Sequence, residues 1–515
     1  MKEQDRPRGT LARVMLANMV WRSIGLYSNA FLSIFVFATL SRLLSPEDFG
    51  VMGIATIFVA LAEIFSDLGV GPAIIQRPEL KEAHLRVGFT TTVLLGMAMV
   101  VILWLCSPLL ASFFRDPTIA GVLYGVSFSF LFSSFGAVSE ALLRRELRFK
   151  RLMWVDLSSY TLGYAVVGLG MAWNGFGVWS LVGATLSQSL LKSVFLLFAR
   201  PHPMLPSLAR QELRELVYFG GGMTLSRLFA FGASRGDYLV VGRVLGVGPL
   251  GVYTRAYRLM NLPANYVGRV LDTVLFPVMG KIQSNIPRLT KFYLTGVATI
   301  SLTCAPLGML MAVAAPEVVS VVLGSQWTEA VLPFQILAFA VLPRVSYKID
   351  NSLAKAMGAV YQRSARDAVY AVAVILGAGI GLRWGLPGVA TGVLCAVILN
   401  NVMAFRMSVR LLGCSTTQYV RAQAPGLLMA MVVGLVALPT RYLCLTYASP
   451  DWMTLVLTSL AGSLAVLSLF IWQPTRIAGV HGTDAVVMVF ESIPRNFFPK
   501  IVDRWFNNRV VSSAT

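Results

Sequence analysis

The chain is a succession of apolar runs, each about 20 residues long, separated by short polar loops. A helical run of this length crosses the roughly 30 Å hydrocarbon core of a bilayer, at about 1.5 Å per residue. The runs predict fourteen membrane-spanning helices, so both termini lie on one side. The predicted spans are residues 16–40, 49–75, 87–112, 119–143, 152–173, 178–199, 216–242, 250–279, 292–315, 331–353, 367–382, 388–411, 423–443 and 452–473.

Composition supports this interpretation. Hydrophobic residues make up 56% of the 515 positions and charged residues only 13%. A soluble domain carries about 25% charged residues to cover its surface with groups that water solvates. The composition therefore excludes a soluble globular protein and indicates an all-α integral membrane protein.

The net charge of +19 would also fit a nucleic-acid-binding protein. The positions of the charges argue against that function. In the fourteen-span arrangement, 29 Lys and Arg residues lie in or next to the loops of one face, five on the opposite face and nine inside the spans. Because basic loops remain in the cytoplasm, the asymmetry predicts a multi-pass bacterial inner-membrane protein with both termini cytoplasmic and no nucleic-acid partner.

The chain also repeats itself. Two short motifs recur at a spacing of 201 residues, and four further matches recur at 211. The matches are Arg42-Leu43-Leu44 and Phe49-Gly50-Val51 with Arg243-Val244-Leu245 and Leu250-Gly251-Val252; Leu142, Arg144 and Asp156 with Leu353, Lys355 and Asp367; and Gly177-Val178 with Gly388-Val389. Six spans per repeat preserve orientation, which predicts two parallel-repeat lobes.

The predicted organisation has six parts. They are a cytoplasmic N-terminal segment (1–15), an N-lobe of helices 1–6 (16–199), a cytoplasmic linker (200–215), a C-lobe of helices 7–12 (216–411), helices 13–14 (412–473) and a cytoplasmic tail (474–515).

Charges inside the spans carry the functional information, because a charge at mid-bilayer costs at least about 2.5–3.5 kcal/mol. At about 100° per residue, five predicted helices each gather their polar residues on one stripe, as expected for the walls of a central cavity. The stripes comprise Asn18, Arg22, Asn29 and Ser33; Thr56, Glu63 and Asp67; Thr224, Arg227, Ser234 and Tyr238, flanked by Arg235 and Asp237; Arg255, Arg258, Asn261, Asn265, Arg269 and Asp272; and Arg344, Tyr347, Lys348, Asn351 and Lys355.

Two simpler explanations compete with ligand binding. Acids on the stripes can pair internally, for example Asp237 with Arg235, and lysines near span ends, such as Lys192, Lys348 and Lys355, can extend to the aqueous interface. Pairing does not absorb the whole set, because three predicted helices hold seven cations against three acids (Asp237, Asp272 and Asp350). The excess favours an anionic ligand, and arginine suits phosphate in particular.

Several motifs resemble a known family. The segment from Arg42 to Gly50, with Asp67-Leu68-Gly69, Ile74-Ile75-Gln76-Arg77 and Leu323-Gly324-Ser325-Gln326-Trp327, is similar to Wzx-type polysaccharide flippases, above all their colanic-acid and succinoglycan exporter branch. The resemblance covers roughly residues 10–475. It implies the multidrug/oligosaccharidyl-lipid/polysaccharide (MOP) exporter fold, similar to MATE transporters, with two six-helix lobes around a central cavity and two C-terminal helices.

The resemblance further implies that the chain moves undecaprenyl-diphosphate-linked oligosaccharide units from the cytoplasmic to the periplasmic leaflet. It implies ion antiport, for which H⁺ or Na⁺ is the expected ion, association with polysaccharide polymerase machinery and no enzymatic activity. Because the sequence has no C-x-x-C motif and only three histidines, we expect no metal site and no cofactor. Alternatives are a lipid II-type flippase, a multidrug exporter or, in another class, a membrane-embedded glycan polymerase or ligase. The predicted substrate-binding residues are Arg22, Arg227, Arg235, Arg255, Arg258, Arg269, Arg344 and Lys348, and the predicted ion-coupling residues are Glu63, Asp67 and Asp237.

Overall fold

The computed structural model describes residue 25 and residues 28–66, 70–77, 80–207, 209 and 224–472. All regular elements in this part of the chain are helices. The chain divides into two compact units. Unit 1 comprises Met1–Phe231 and Val241–Gly251, and unit 2 comprises Gly232–Val240 and Val252–Thr515.

Unit 1 contains eight described helices. These are α1 (Ser28–Leu43), α2 (Pro46–Ser66), α3 (Val70–Gln76), α4 (Glu82–Phe114), α5 (Thr118–Arg145), α6 (Phe149–Tyr160), α7 (Leu169–Trp173) and α8 (Val178–Ala199). A π-helical segment, Thr161–Gly168, joins α6 to α7. The predicted turn before α2 starts that helix: Ser45 donates its backbone N–H and its hydroxyl to Asp48 Oδ2, both at 3.0 Å, which satisfies donors at the helix N-terminus.

Two long helices, α9 (Thr224–Val244) and α10 (Val247–Ile282), contribute to both units, because residues Val241–Gly251 belong to unit 1. The remaining helices belong to unit 2. They are α11 (Ile286–Val313), α12 (Ala315–Val322), α13 (Val331–Ala338), α14 (Val341–Ala356), α15 (Val360–Gly381), α16 (Gly385–Leu412), α17 (Thr416–Thr446) and α18 (Asp451–Trp472).

Helix α14 begins after a sharp bend. The stretch through α13 and α14 turns by 45°, where the sequence predicts one span over 331–353. Pro343 explains the break, because it has no N–H to donate to the carbonyl of Phe339 and so ends the continuous hydrogen-bond ladder. The motif Leu323–Trp327, which precedes α13, also has a structural role. Gly324 adopts φ 111°, and Trp327 is fully buried.

Eight helical stretches of the described residues are long and apolar enough to span a membrane, or nine if the bent stretch is counted. Helices α9 and α10 are not among them, because the charges on their polar faces lower their mean hydropathy. The number fourteen therefore stays a prediction.

One of the eight stretches, Tyr361–Leu412, holds two helices that fold back on each other. A Cβ on Gly392 would lie 2.0 Å from the carbonyl oxygen of Gly377, and one on Gly381 would lie 2.2 Å from that of Gly388. Glycine at these positions lets the backbones of α15 and α16 touch as an antiparallel pair.

The outer surface of the helices is apolar. Leu105, Leu109, Leu435 and Leu464 are each at least 60% exposed. A surface of this kind is unfavourable in water and favourable in lipid. Together with the long apolar helices, it identifies a multi-pass membrane protein.

The glycines of the repeated motif meet within unit 1. A Cβ on Gly50 would lie 1.8 Å from the carbonyl oxygen of Val247, and a Cβ on Gly251 would lie 1.8 Å from that of Pro46. No other residue can occupy either position without displacing backbone, since real Cβ atoms do not approach so closely. The motif therefore marks a crossing between the starts of α2 and α10.

Candidate functional site

Most described members of the predicted site lie in unit 2, on α9, α10 and α14. Arg235 and Asp237 come from α9, Arg255 and Arg258 from α10, and Arg344 and Lys348 from α14. The polar stripes of these three helices thus belong to one compact unit. Arginine, lysine and tyrosine side chains dominate the cluster.

Asp237 is the carboxylate of this cluster and is only 1% exposed. The hydroxyl of Tyr253 donates to its Oδ2 at 2.8 Å, and the backbone N–H of Tyr238 donates to its Oδ1 at 3.0 Å. Among the residues the structure describes, Asp237 forms no ion pair within 4 Å. The predicted pairing with Arg235 is therefore absent, and tyrosine takes the place of the cation.

Three tyrosines surround this carboxylate. The ring centroids of Tyr238, Tyr253 and Tyr257 lie 5.4–5.9 Å apart, at distances typical of edge-on aromatic contacts. The Arg235 guanidinium carbon lies 5.1 Å from the centroid of the Tyr238 ring, and that of Arg344 lies 4.7 Å from the Tyr257 ring. The rings hold both cations through their faces.

Arg344 is held by two hydrogen-bond partners on α10. It donates from Nη1 to Asn261 Oδ1 at 3.0 Å and from Nη2 to the hydroxyl of Tyr257. Its Nε is buried and has no hydrogen-bond partner among the described residues. An arginine positioned by two neutral partners retains its full charge, so its position is fixed without being neutralised.

Lys348 lies one helical turn further along α14. Its ammonium group donates to the carbonyl oxygen of Ala264 at 3.3 Å, beside Gly268. A Cβ on Gly268 would lie only 1.9 Å from Lys348 Nζ, so this glycine makes room for the amine. Lys348 therefore crosses to α10, and the structure gives no support to an extended conformation toward the interface.

The described members of the predicted site comprise five cations and one carboxylate in unit 2. Arg258 is exposed and Arg255 is half-buried. Such an excess of fixed positive charge repels cationic ligands and attracts anions, and arginine can bind a phosphate oxygen pair through two parallel N–H groups.

The remaining predicted residues are placed less completely. Arg22 and Asp67 lie outside the described residues, as do the side chains of Arg227 and Arg269. Glu63 is exposed on α2 in unit 1.

A second buried carboxylate, Asp350, lies in unit 2 on the opposite face of α14 from Lys348. The polar stripe predicted for this helix does not include Asp350, which lies about 200° from Lys348 around the helix. The hydroxyls of Tyr293 and Ser408 both donate to its Oδ1, at 2.7 and 2.6 Å. Its Oδ2 is buried without a hydrogen-bond partner among the described residues.

The corresponding region of unit 1 is joined by salt bridges. Lys192 Nζ lies 3.2 Å from Glu140 Oε2 and 3.1 Å from Asp156 Oδ1, and Arg144 Nη2 lies 2.6 Å from Glu140 Oε1. The lysine thus joins α5, α6 and α8. It pairs with two acids and does not extend to the aqueous interface.

Comparison with known proteins places the chain in a family. The family model described as "Polysaccharide biosynthesis protein" matches residues 39–332, which is more than half of the chain. This protein is a member of that family. The relative "Lipopolysaccharide biosynthesis protein WzxC" of Escherichia coli (strain K12) is 23% identical, over 80% of this chain and 84% of the relative. The predicted family resemblance is confirmed.

Two solved structures share the fold of this family member. A structure of "Lipid II flippase MurJ, inward closed conformation" has a TM-score of 0.70 at 14% identity, over 87% of this chain and 97% of that chain. An inward-facing multidrug resistance MATE family transporter of the MOP superfamily has a TM-score of 0.60 at 18% identity, over 77% and 99%. The predicted MOP-type fold is confirmed.

Proposed function

We propose that this protein is a flippase for polyprenyl-diphosphate-linked oligosaccharide repeat units in the synthesis of exopolysaccharide, capsule or O-antigen. Family membership supports a place in polysaccharide biosynthesis, and the fold is that of membrane transporters. The observation that carries the proposal is that five of the predicted site cations, with the buried Asp237, lie on α9, α10 and α14 within unit 2.

The chemistry of the cluster selects the substrate class. A lipid-linked oligosaccharide has one strongly anionic part, the diphosphate, between an apolar tail and neutral or acidic sugars. Arg235, Arg255, Arg258 and Arg344 bind the diphosphate, together with Arg22 and Arg227, while the tail remains in lipid. Arg269 and Lys348 extend the positive field along α10 and α14.

The transport cycle follows alternating access, driven by H⁺ or Na⁺ moving down its gradient. Glu63, Asp67 and Asp237 are candidates for carrying the coupling ion, since each is an acid on a polar stripe. The protein acts in the bacterial inner membrane with both termini cytoplasmic, next to polysaccharide polymerase machinery. Reporter fusions after residue 515 test this topology.

The decisive experiment removes charge from α10. The double substitution Arg255→Ala and Arg258→Ala should abolish surface polysaccharide and cause the lipid-linked repeat unit to accumulate in the cytoplasmic leaflet. Arg410→Ala provides a matched control, because Arg410 is an exposed cation on α16 outside the cluster. Normal polymer in the double variant, at normal protein level, would refute the proposed function.

A multidrug exporter is the second candidate, since the MATE transporter shares the fold. The excess of arginine argues against it, because exported drugs are mostly cationic. Deletion of the gene should leave sensitivity to cationic dyes unchanged and should block the polysaccharide. The opposite outcome would favour the exporter.

A further inference from the structure

Asp350 occupies an unusual environment for a membrane carboxylate. It is 1% exposed, and α11 and α16 supply one hydroxyl donor each, both directed at Oδ1. No ion pair within 4 Å compensates its charge among the described residues, and Oδ2 receives no hydrogen bond there. Both hydroxyls can remain in place when a proton is bound to the free oxygen, so the site accommodates either protonation state.

Arg366 is the neighbouring cation. It is 6% exposed and lies on α15, where its Nη2 donates to Asn351 Oδ1 at 2.5 Å and to Asp367 Oδ1 at 2.8 Å. Its Nε and Nη1 are buried and without acceptors among the described residues. The guanidinium therefore has three N–H donors, on Nε and Nη1, without acceptors among the described residues, and its Nη2 contacts Asn351, the residue next to Asp350.

The carboxylate that now pairs with Arg366 has a second cation beside it. Arg363 Nε lies 3.6 Å from Asp367 Oδ2, so Asp367 keeps a cation when Arg366 turns away. Asn351 is neutral and leaves no uncompensated charge behind. Asp350 and Arg366 are thus two buried groups of opposite charge, adjacent but not joined.

Other groups facing Asp350 do not supply a competing charge. Tyr293 from α11 and Tyr419 from α17 face it as neutral phenols, and α16 contributes the hydroxyl of Ser408. Arg366 from α15 is the cation whose field acts on the carboxylate. Its movement is therefore the natural response to a change in the charge of Asp350.

We propose that Asp350 binds and releases one proton at Oδ2 during each transport cycle, and that Arg366 pairs with Asp350 whenever the proton is absent. In the protonated state Asp350 is a neutral acid and Arg366 stays with Asn351 and Asp367. Loss of the proton to water creates a buried carboxylate, and Arg366 swings over to pair with it. This mechanism rests on the flippase function proposed above.

The position of Asp350 links the proton to the substrate. Arg344 and Lys348 lie on the same helix, and six residues separate Arg344 from Asp350, which is about 9 Å along the axis. Because α14 begins at the 45° bend, it can tilt without breaking further backbone hydrogen bonds. A new ion pair between α14 and α15 would then shift the cations that face α10.

Difference infrared spectroscopy on the purified full-length protein tests the proton site without any substrate. Subtraction of the Asp350→Asn spectrum from the wild-type spectrum should leave one carboxylic acid C=O band that appears and disappears reversibly between acidic and alkaline buffer. Glu140→Gln in unit 1 is the matched control and should keep the band. A spectrum unchanged by Asp350→Asn would overturn the proposal.

A second variant keeps the carboxyl group and assigns the band if Asp350→Asn fails to fold. Tyr293→Phe combined with Ser408→Ala removes both hydrogen bonds to Oδ1, so the frequency of the Asp350 band should shift. A band at unchanged frequency would belong to another acid and would count against Asp350.

Proteoliposomes separate the proton mechanism from the flippase function. A pH gradient should accelerate the flipping of a short polyprenyl-diphosphate saccharide several-fold in the wild type, and Asp350→Asn should flip at one rate with or without the gradient. A normal gradient response in that variant would refute the role of Asp350 while the flippase function stands. Absence of flipping in the wild type, with the infrared band present, would refute the function and leave the proton site intact.

Discussion

The junction between α5 and α6 in unit 1 and the junction between α14 and α15 in unit 2 occupy equivalent places in the repeat. Helices α5 and α14 end at Arg145 and Ala356, and α6 and α15 begin at Phe149 and Val360, both at the 211-residue spacing of the sequence matches. The same spacing pairs Asp156 with Asp367, Glu140 with Asn351 and Ser139 with Asp350.

The two junctions treat their charges differently. In unit 1 the two acids share Lys192, and Arg144 completes the network, so each charge has a partner. In unit 2 an amide, Asn351, replaces the first acid, a new acid, Asp350, lies one residue earlier, and Nε and Nη1 of Arg366 have no acceptor among the described residues. When every charged group at a junction has a partner, the helices are held in one arrangement. When a charged group has unused hydrogen-bond donors, it can exchange partners, and two arrangements of the helices become possible.

The largest expected effect comes from making unit 2 resemble unit 1. Asn351→Glu restores the acid that unit 1 has at Glu140 and gives Arg366 a permanent second carboxylate. The arginine should then be unavailable to Asp350, so gradient-driven flipping should fall at least about tenfold, which corresponds to about 1.4 kcal/mol. Flipping assays in proteoliposomes measure this, and thermal unfolding should show no loss of stability. Wild-type transport in this variant would mean that Arg366 does not move.

Removing Lys192, the cation shared by the two acids of unit 1, should lower the stability of the protein and leave its transport rate unchanged. Lys192→Met leaves Glu140 and Asp156 without their shared partner, at a cost of about 2 kcal/mol because charge-assisted hydrogen bonds are lost. Thermal unfolding in detergent should show the loss, while transport per folded molecule stays near wild type. A transport defect at unchanged stability would show that unit 1 also has a moving junction.

A smaller effect is expected from Glu140→Asn, which gives unit 1 the amide of unit 2. Lys192 keeps Asp156, so the loss should be about 1 kcal/mol, within the range of a single partly exposed ion pair. Comparison of this variant with Lys192→Met in a double-mutant cycle gives the coupling energy of the pair. A loss equal to that of Lys192→Met would mean that Asp156 contributes nothing.

The smallest expected effect is a dependence of stability on pH through His202, which contacts Ser139, the counterpart of Asp350. The Ser139 hydroxyl donates to the Arg200 carbonyl at 2.7 Å and lies 2.9 Å from His202 Nδ1. Burial, with the charge of Arg200 adding to it, lowers the pKa of His202, so the unfolded chain takes up a proton more readily than the folded one. Stability should therefore be full above pH of about 6.5 and decline as the pH falls below it.

The measurement for His202 is thermal unfolding between mildly alkaline and mildly acidic pH. His202→Gln should flatten this part of the profile, with a change below about 1 kcal/mol because one contact is involved. A steeper acid loss in the variant would assign the dependence to another group.

The sequence predicts the helices well because their apolar runs and turn residues are local signals. Ser45 and Asp48, for example, lie in the polar loop predicted between the first two spans, and in the structure α2 begins there. The bend before α14 is not predicted, because the apolar run over 331–353 continues through Pro343, where the backbone hydrogen bonds are interrupted. Neither Asp350 nor Arg366 could be placed, because their surroundings depend on which helices pack together; Arg366 lies in a predicted loop yet is buried.

The candidate site was partly predictable for the same reason. A helical stripe places Arg255 with Arg258 on one predicted helix and Arg344 with Lys348 on another, and the structure places all four in one unit. A projection of one helix cannot predict that Tyr253 and Tyr257 are the partners of Asp237 and Arg344. They come from other helices, and aromatic residues are common throughout an apolar sequence.

The contacts of Gly50 with Val247 and of Gly251 with Pro46 are reciprocal. Position 50 corresponds to 251 and position 46 to 247 at the 201-residue spacing, so each half offers the same glycine to the same carbonyl of the other. Reciprocal contacts of this kind define a two-fold homodimer interface. The crossing therefore has, within one chain, the reciprocal contact pattern of a two-fold interface.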